Sequence, residues 1–566
     1  MLDFPKVTVT QQYESVTPPS YRPLRVPAIV GPCVYIVDFL NKTGDFNKDA
    51  YAGEYVGATE DTNVAYPSIE SDAEVLTESV RVFFLFGDKT YYELTSSEFT
   101  PSSNSVTIKG GAGGLDEGAK VDVYIQYLAT RTSVCPSLTI TGEYGTGIWV
   151  ESISDIENLL GPIDLRNPLA FAAYLMQSAA NIPVYAIGTR NVVLTVNNGV
   201  ITGIDGDEES YAAAAEILEN ERNIYTVTPL TFEPSYIGYF VSHVDNMRQP
   251  DVGKWRKLFA CLDRPTKYPD ETLASGVRAN GTSGEKTLTV DVDLTDVEVV
   301  SGSTYIQLSY GGSVDQYTVK SVTGFTITIV DAEQLSKTYV DAAWSLKNPG
   351  ADFTNRIDVL EAVGEIGKGY NNLAVHLFYP NKFLMTIDGV ETEVNGYYDA
   401  AIRAAQRCSM RPEKTLQGKP NPIFSGAVGS NDEFSETALR YVLDGGVCVE
   451  LNAGDTVILG RAISTDTSTI DKLEENCTSQ VDYISAKILR ACTPLLRERE
   501  LTPTFISTQL APLVHIICED AMTSGIIGKA NVLEIGQSPT DPSRAIVKIN
   551  IQTIKPVVGI DVTLII

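Results

Sequence analysis

Residues 167–187 read NPLAFAAYLMQSAANIPVYAI, and this stretch decides the fold class. Leu169, Ala173, Met176 and Ala180 fall at spacings of four, three and four, so residues 168–180 are predicted to be a helix with one apolar face. Pro168 suits the first turn of that helix, and Asn181 with Pro183 ends it. An apolar run from Val184 to Ile187 then predicts a buried strand. Working outward, the alternation continues. A second helix is predicted over 208–221, with Ala212, Ala215 and Leu218 on one side, then a strand over 223–228. A helix near 236–247 and a strand over 257–262 follow. Helix and strand at this spacing predict a parallel sheet covered by helices.

The same character returns late in the chain. Strands are predicted over 373–378, 446–451 and 456–462, and helices over 394–408 and 433–443. A long helix is predicted over 470–492, where Ile470, Leu473, Cys477, Val481, Ile484, Ile488 and Cys492 form one apolar stripe. The last sixty residues predict a strand over 545–551, then Lys555-Pro556, then a terminal strand over 559–566. At the other end, Val7-Thr8-Val9-Thr10 alternates as a strand does, and Pro18, Pro19, Pro23 and Pro27 stiffen an extended arm. Residues 28–31 and 34–39 predict a buried strand pair or one bent strand.

Two segments interrupt this pattern. Over 45–127, short alternating runs at 80–85, 91–94, 106–108 and 121–127 lie between Gly, Ser and Asp turns, including Gly110-Gly111-Ala112-Gly113-Gly114. Over 270–345 the character repeats, with runs at 286–292, 304–310, 316–322 and 326–330. The first segment carries 15 acids against 5 bases and the second 11 against 4, so most of the net charge of −29 sits on them. The fold class is therefore an α/β (mixed α+β) core with helices on a mixed sheet, interrupted by two small all-β insertion domains, with extended N- and C-terminal arms. The predicted division is an arm over 1–27; a core from 28–44, 128–269 and 346–410; insertions over 45–127 and 270–345; a C-terminal α/β domain over 411–555; and an arm over 556–566.

Charge and composition exclude several functions. A chain of 566 residues with 72 acids and 43 Lys plus Arg lacks the clustered positive charge that tracks a phosphate backbone. The same field disfavours anionic lipid, and the most apolar stretch, near 28–40, is broken by Gly31, Pro32 and Asp38. No secretory signal is read after Lys6. The eight cysteines are at least 15 residues apart, with no C-x-x-C pair, and only His243, His376 and His515 are available for acid–base or metal chemistry. These features predict a protein that is not an enzyme and that takes no cofactor or metal. Asp45-x-Asn47-x-Asp49 opens like a calcium loop but has Ala50 for the turn glycine and Val56 for the bidentate acid. Gly142–Gly147 and Gly87-Asp88-Lys89-Thr90 lack phosphate-loop spacing, and no G-x-S-x-G elbow occurs. Ser242-His243 with Asp245 reads as a polar helix face, and acidic pairs such as Asp207/Glu209 and Asp291/Asp293 are expected by chance.

Two features carry function. Val7, Val9, Ile560, Val562, Leu564 and Ile566 are strand-like ends whose backbone groups and apolar side chains call for a partner. They fold onto their own domain or add to the sheet of a neighbouring copy. Lys487, Arg490, Arg497 and Arg499 form a basic cluster against the global charge, either complementing the end of a helix or meeting an acidic partner.

The stretch 167–187 resembles the helix that precedes a core strand in contractile tail sheath proteins of myovirus-type bacteriophages and related contractile injection systems. Gly446-Val447-Cys448-Val449-Glu450 with 457–465 is similar to that family's late hairpin, although Leu459 stands where the hairpin has a tryptophan. Asp541-Pro542-Ser543-Arg544 and the strands around Pro556 resemble its C-terminal end. The similarity covers 22–39, 150–262 and 352–566, and the inserts match nothing specific. The resemblance implies a homo-oligomer of stacked hexameric rings around a tail tube, with strands exchanged between copies and residues 411–555 facing the tube. The implied partners are the tail tube protein and the baseplate and tail terminator proteins, in a virion assembled in the host cytoplasm. A surface adhesin or decorating protein, or a carbohydrate-active enzyme using paired acids, are the competing readings.

Overall fold

A computed structural model describes residues 26–39, 47–69, 73–131, 147–197, 200–249, 252–310, 313–330, 332–497, 500–541 and 543–557. They divide into two compact units, one built from the chain up to Asp263 and from Tyr370 onward, the other spanning Arg264–Gly369.

The first unit is organised on a nine-stranded sheet. Its strands are β1 (Val26–Pro32), β2 (Ile148–Val150), β3 (Val184–Thr189), β4 (Ile224–Pro229), β5 (Lys257–Cys261), β6 (Val375–Tyr379), β7 (Pro420–Asn421), β8 (Val447–Asn452) and β9 (Val457–Leu459). Their spatial order is β2-β3-β1-β4-β5-β6-β8-β9-β7. From β3 to β8 all neighbours run parallel, and an antiparallel strand closes one edge (β2) and a pair the other (β9, β7). Every residue of β1, β3, β4, β5 and β6 is buried, which is why these strands read as continuous apolar runs in the sequence.

Among the described residues, the longer helices of this unit are α1 (Pro168–Ala180), α2 (Glu208–Asn220), α3 (Pro234–Arg248), α4 (Tyr397–Ser409), α5 (Glu436–Asp444), α6 (Glu475–Cys492) and α7 (Ala511–Thr523). Asn181 takes a left-handed conformation to end α1, Asp207 accepts from the Ser210 amide to start α2, and Ser435 does the same for α5. α1 and α4 share a large core, with the Phe171 and Tyr398 rings edge-on at 5.1 Å. Where α4 begins, a Cβ on Gly396 would lie 2.6 Å from both Cys261 Sγ and the Pro380 carbonyl oxygen, so only glycine fits.

Several elements differ from the sequence reading. Residues 26–37 are neither a pair nor one bent strand. β1 enters the centre of the large sheet, while Val34–Val37 turns away and pairs with Lys120–Arg131. The helix predicted over 394–408 begins later, because Val390–Asn395 is the second strand of a hairpin with Lys382–Ile387. The long helix predicted over 470–492 is broken at Glu474, whose extended backbone separates Ile470–Leu473 from α6 and leaves Ile470 exposed. A two-stranded ribbon over 192–206, helix α7, and the strand Ile527–Gln537 have no counterpart in that reading.

Within the first unit, residues 47–131 are mostly β. The twelve-residue strand Lys120–Arg131 pairs with Tyr51–Val56, Ala73–Val75 and Arg81–Leu85, over a core that includes Val82, Phe84, Val106, Val123 and Ile125. The second unit contains a closed barrel of six strands, ordered 271–281, 287–290, 326–329, 313–323, 305–310 and 339–348, around Ile306, Leu308, Ile327 and Trp344. Helix Asp358–Tyr370 follows it.

Candidate assembly site

The C-terminal elements build a surface suited to another strand. After α7, strands β10 (Ile527–Gln537) and β11 (Ala545–Thr553) form an antiparallel hairpin. Ile527, Ala530, Val532, Ile535, Val547, Ile549 and Ile551 pack towards Ile484, Ile488, Val514 and Ile517 of α6 and α7. One face of the hairpin is therefore seated on helices. Among the described residues, β10 and β11 pair as strands only with each other, so β11 has one open backbone edge and β10 another over 531–536, beyond the Ala530 amide that donates to Met522 Sδ (3.3 Å). Leu533, 61% exposed, adds an apolar side chain to the open face. Beside β11 runs a groove of about 540 Å³ lined by Asp471, Asn550, Ile551, Gln552, Thr553 and Lys555. An open edge of this kind binds an extended peptide through its main chain.

The root of the C-terminal arm is held beside that edge. The Gln480 side chain donates to the Ile554 carbonyl (3.0 Å) and accepts from the Ile554 amide (3.0 Å), as a neighbouring strand would. Asn476 donates to the same carbonyl (2.9 Å). Asp471 accepts from Thr553 Oγ1 (2.9 Å) and pairs with Lys555 (3.0 Å).

Beneath this surface α6 is tied to the central sheet by charges with almost no exposure. Lys257 Nζ of β5 donates to Glu475 Oε1 (2.7 Å), the Glu475 carbonyl (2.8 Å), Thr478 Oγ1 (2.6 Å) and Ser479 Oγ (2.8 Å). Arg407 of α4 reaches the other carboxylate oxygen of Glu475 at 3.0 Å. Burial pulls the Lys257 ammonium down to about 8, against the pull of Glu475. Burial would raise Glu475, but the Arg407 and Lys257 charges overcome it and hold the carboxyl far below its usual range. At one end of the seam Tyr225 and Arg248 both donate to Asp482. Closer to β8, Arg403 makes a two-pronged pair with Glu450 (2.8 and 2.6 Å) and lies 3.5 Å from Asp399. Two buried carboxyls share this one guanidinium. Burial, with the neighbouring Asp399, raises Glu450 to about 8 despite Arg403, so the pair retains a proton at neutral pH.

The predicted site residues fall as follows. Val7, Val9, Ile560, Val562, Leu564, Ile566 and Arg499 lie outside the described residues, and the Arg497 side chain is likewise not described. Lys487 is half-buried on α6, its ammonium 5.6 Å from the centre of the Tyr483 ring and drawn towards Asp520. Arg490 is exposed on the last turn of α6. The open hairpin, the Gln480 clamp and the buried seam were missed by sequence reasoning. Their one visible signal is the row of polar residues Asn476, Ser479, Gln480 and Asp482 inside an otherwise apolar helical stripe.

The other motifs resolve into local structure. His243 is buried and its Nε2 accepts from Arg256 (2.7 Å), while Asp245 accepts from Asn372 (2.6 Å), so the two do not form a dyad. Asp291 accepts from the Trp344 indole (2.7 Å) and Asp293 from its own turn. Asp88 accepts from Thr90 in the hairpin turn at Gly87. Among the described residues no group of His, Cys, Asp and Glu could hold a metal ion, and no helix is long and apolar enough to cross a membrane. The seven described cysteines are buried and unbridged.

No family model and no curated protein sequence matches the chain. Among solved structures, it is similar to the helical sheath of the anti-feeding prophage in its contracted state, at 12% identity and a TM-score of 0.41 over 75% of this chain and 88% of that one. It is similar to the contracted PVC sheath of an extracellular contractile injection system, at 12% identity and 0.44 over 76% and 89%. It is also similar to the sheath tail protein of Desulfitobacterium hafniense, at 10% identity and 0.37 over 94% and 97%.

Proposed function

We propose that the chain is the structural subunit of a contractile sheath, of a phage tail or a related injection system, and that it acts by assembly rather than catalysis. The observation that carries this reading is the β10/β11 hairpin, seated on helices with open edges beside a fixed arm root. Strand-like segments at both chain ends supply donors for such edges: Val7 and Val9 at one, Ile560, Val562, Leu564 and Ile566 at the other. Copies stack as hexameric rings around a tail tube, with residues 411–555 inward and the acidic segments 45–127 and 270–345 facing solvent, where like charge keeps filaments apart. Lys487, Arg490, Arg497 and Arg499 meet the tube, and the baseplate and terminator proteins bound the stack. Contraction is a rigid-body repacking of subunits that drives the tube through a host envelope while exchanged strands keep their hydrogen bonds.

Electron microscopy of the purified chain tests this reading. Hollow tubes or stacked rings are expected. Removing residues 559–566 leaves a folded protein that does not polymerise. Persistent monomers of the full chain, or normal tubes from the truncated one, overturn the assignment. Reversing charge at Arg490, Arg497 and Arg499 is expected to abolish co-assembly with tube protein, and unchanged co-assembly reduces the cluster to a helix-end feature.

A further inference from the structure

Val192–Asn197 and Val200–Gly206 form a two-stranded antiparallel ribbon that pairs with neither strand of the C-terminal hairpin. Its base is rigidly held. The Asn191 amide donates to Ser210 Oγ (3.1 Å) and its side chain to Asp207 (2.6 Å). Asp205 accepts from Tyr211 (2.7 Å) and Thr231 (2.7 Å). Beyond these locks its first strand lies beside Thr77–Ser79, which leaves Val192, Leu194, Ile201 and Ile204 half-buried and Val193, Val196 and Val200 exposed. Val192, Val193, Leu194, Val196, Val200, Ile201 and Ile204 occupy it, and none of them is buried. Val193 is 50% exposed and Val200 64%.

Three observations select its occupant. The two strands pair only with each other among the described residues, so their outer edges present unpaired backbone groups that a strand satisfies. A two-stranded ribbon gains little stability from its own pairing, and here Val193, Val196 and Val200 remain exposed to water. Between Arg190 and Asp205 there is no charged residue, and neither Lys nor Pro guards an edge, although the chain carries −29 overall. Copies that repel one another elsewhere can approach at a neutral blade.

We infer that the 192–206 ribbon is a second copy-to-copy contact, pairing edge to edge with a strand of another copy of this chain. It rests on the reading that copies of this chain assemble, but not on the sheath geometry or on the terminal arms. The test compares amide hydrogen exchange over 192–204 in dilute and in assembled or concentrated full-length protein. The expected result is exchange slowed roughly tenfold or more on association. The double variant Val193→Glu, Val200→Glu is expected to keep the circular dichroism and unfolding midpoint of the parent while raising the concentration needed for association roughly tenfold. Slow exchange already present in the dilute monomer assigns the blade to the chain's own segments and overturns the inference. So does unchanged exchange on association, or a variant that associates as the parent does. If the parent forms no tubes yet protects these amides at high concentration, the sheath reading fails and this contact stands.

Discussion

Glu475→Gln isolates what the buried seam contributes. The carboxylate accepts from Lys257 (2.7 Å), Ser479 (2.6 Å) and Arg407 (3.0 Å), and the Lys257, Glu475 and Arg407 side chains are each no more than 1% exposed. Glutamine keeps the volume and an acceptor oxygen for Lys257 and Ser479. It turns an amide NH₂ towards Arg407 and removes the one negative charge held between two cations. Deleting one partner of a buried pair costs about 3–5 kcal/mol, which is a large share of a total stability of about 5–15 kcal/mol. The control is Glu93→Gln on the surface. Glu93 meets Arg81 through two bonds of 2.7 Å, but the side chains are 42% and 47% exposed. Water screens that pair, so its loss costs at most about 1 kcal/mol. Urea unfolding of the unassembled variants, followed by far-ultraviolet circular dichroism, reads both, and the Glu475 variant is expected to unfold at a midpoint lower by on the order of 1 M. A Glu475→Gln midpoint that moves no further than the Glu93→Gln midpoint refutes the reasoning that burial turns the same chemistry into a structural tie.

Three further outcomes are expected. Glu450→Gln lowers stability by no more than about 1.5 kcal/mol at pH 7.5, because glutamine can accept from Arg403 and donate to Asp399 as the protonated acid does. Glu450 is raised from 4.5 to about 8, so the stability it contributes is full below 4.5 and lost as pH rises to about 8, and the variant flattens that part of the urea-midpoint profile. His243 and His376 are both held neutral, lowered from 6.5 to about 3 chiefly by burial, with Arg256 acting on the first and Lys257, Glu475 and Asp482 facing the second. Their contribution is present above pH 6.5 and falls towards pH 3 by about 1.4 kcal/mol per pH unit each. The pair His243→Gln, His376→Asn is expected to shrink this acid-side loss, and a profile parallel to the parent's contradicts it. Gln480→Ala frees the arm root while leaving the hairpin core intact; sedimentation is expected to show weaker polymerisation of a chain whose unfolding midpoint shifts by less than the Glu475 variant's.

The alternation over 168–262 was legible because the fully buried parallel strands are largely apolar, and the helices around them carry recognisable ends. The ribbon over 192–206 was not, since its Val and Thr alternation continues the apolar tone of β3 with no charge before Asp205 to mark a surface. Asp399, Arg403 and Arg407 follow one another at four-residue spacing on α4, a pattern that ordinarily lies in water, yet all three are buried. What buries them is Glu450 and Glu475, 47 and 68 residues further along from Arg403 and Arg407, and helical periodicity contains nothing about so distant a partner. The break at Glu474 was hidden because Ile470 and Leu473 continue the stripe of α6 in register. The ends were read as strand-like from their alternation alone, whereas the hairpin of β10 and β11 became visible only as a three-dimensional arrangement.

The position of β1 has a consequence for the order of events during synthesis. It is the first strand of the large sheet to be made, yet it lies between β3 and β4, bonding to both. At about 5–20 residues per second, the 157 residues from Pro32 to Thr189, which complete β3, take roughly 8–30 s to follow it. Through that interval β1 has no partner in its own sheet. Val34–Val37, immediately after it, needs only Lys120–Arg131 and finds its place earlier. The all-β segment can therefore close while β1 is still waiting, which leaves this apolar strand exposed to premature pairing with another copy.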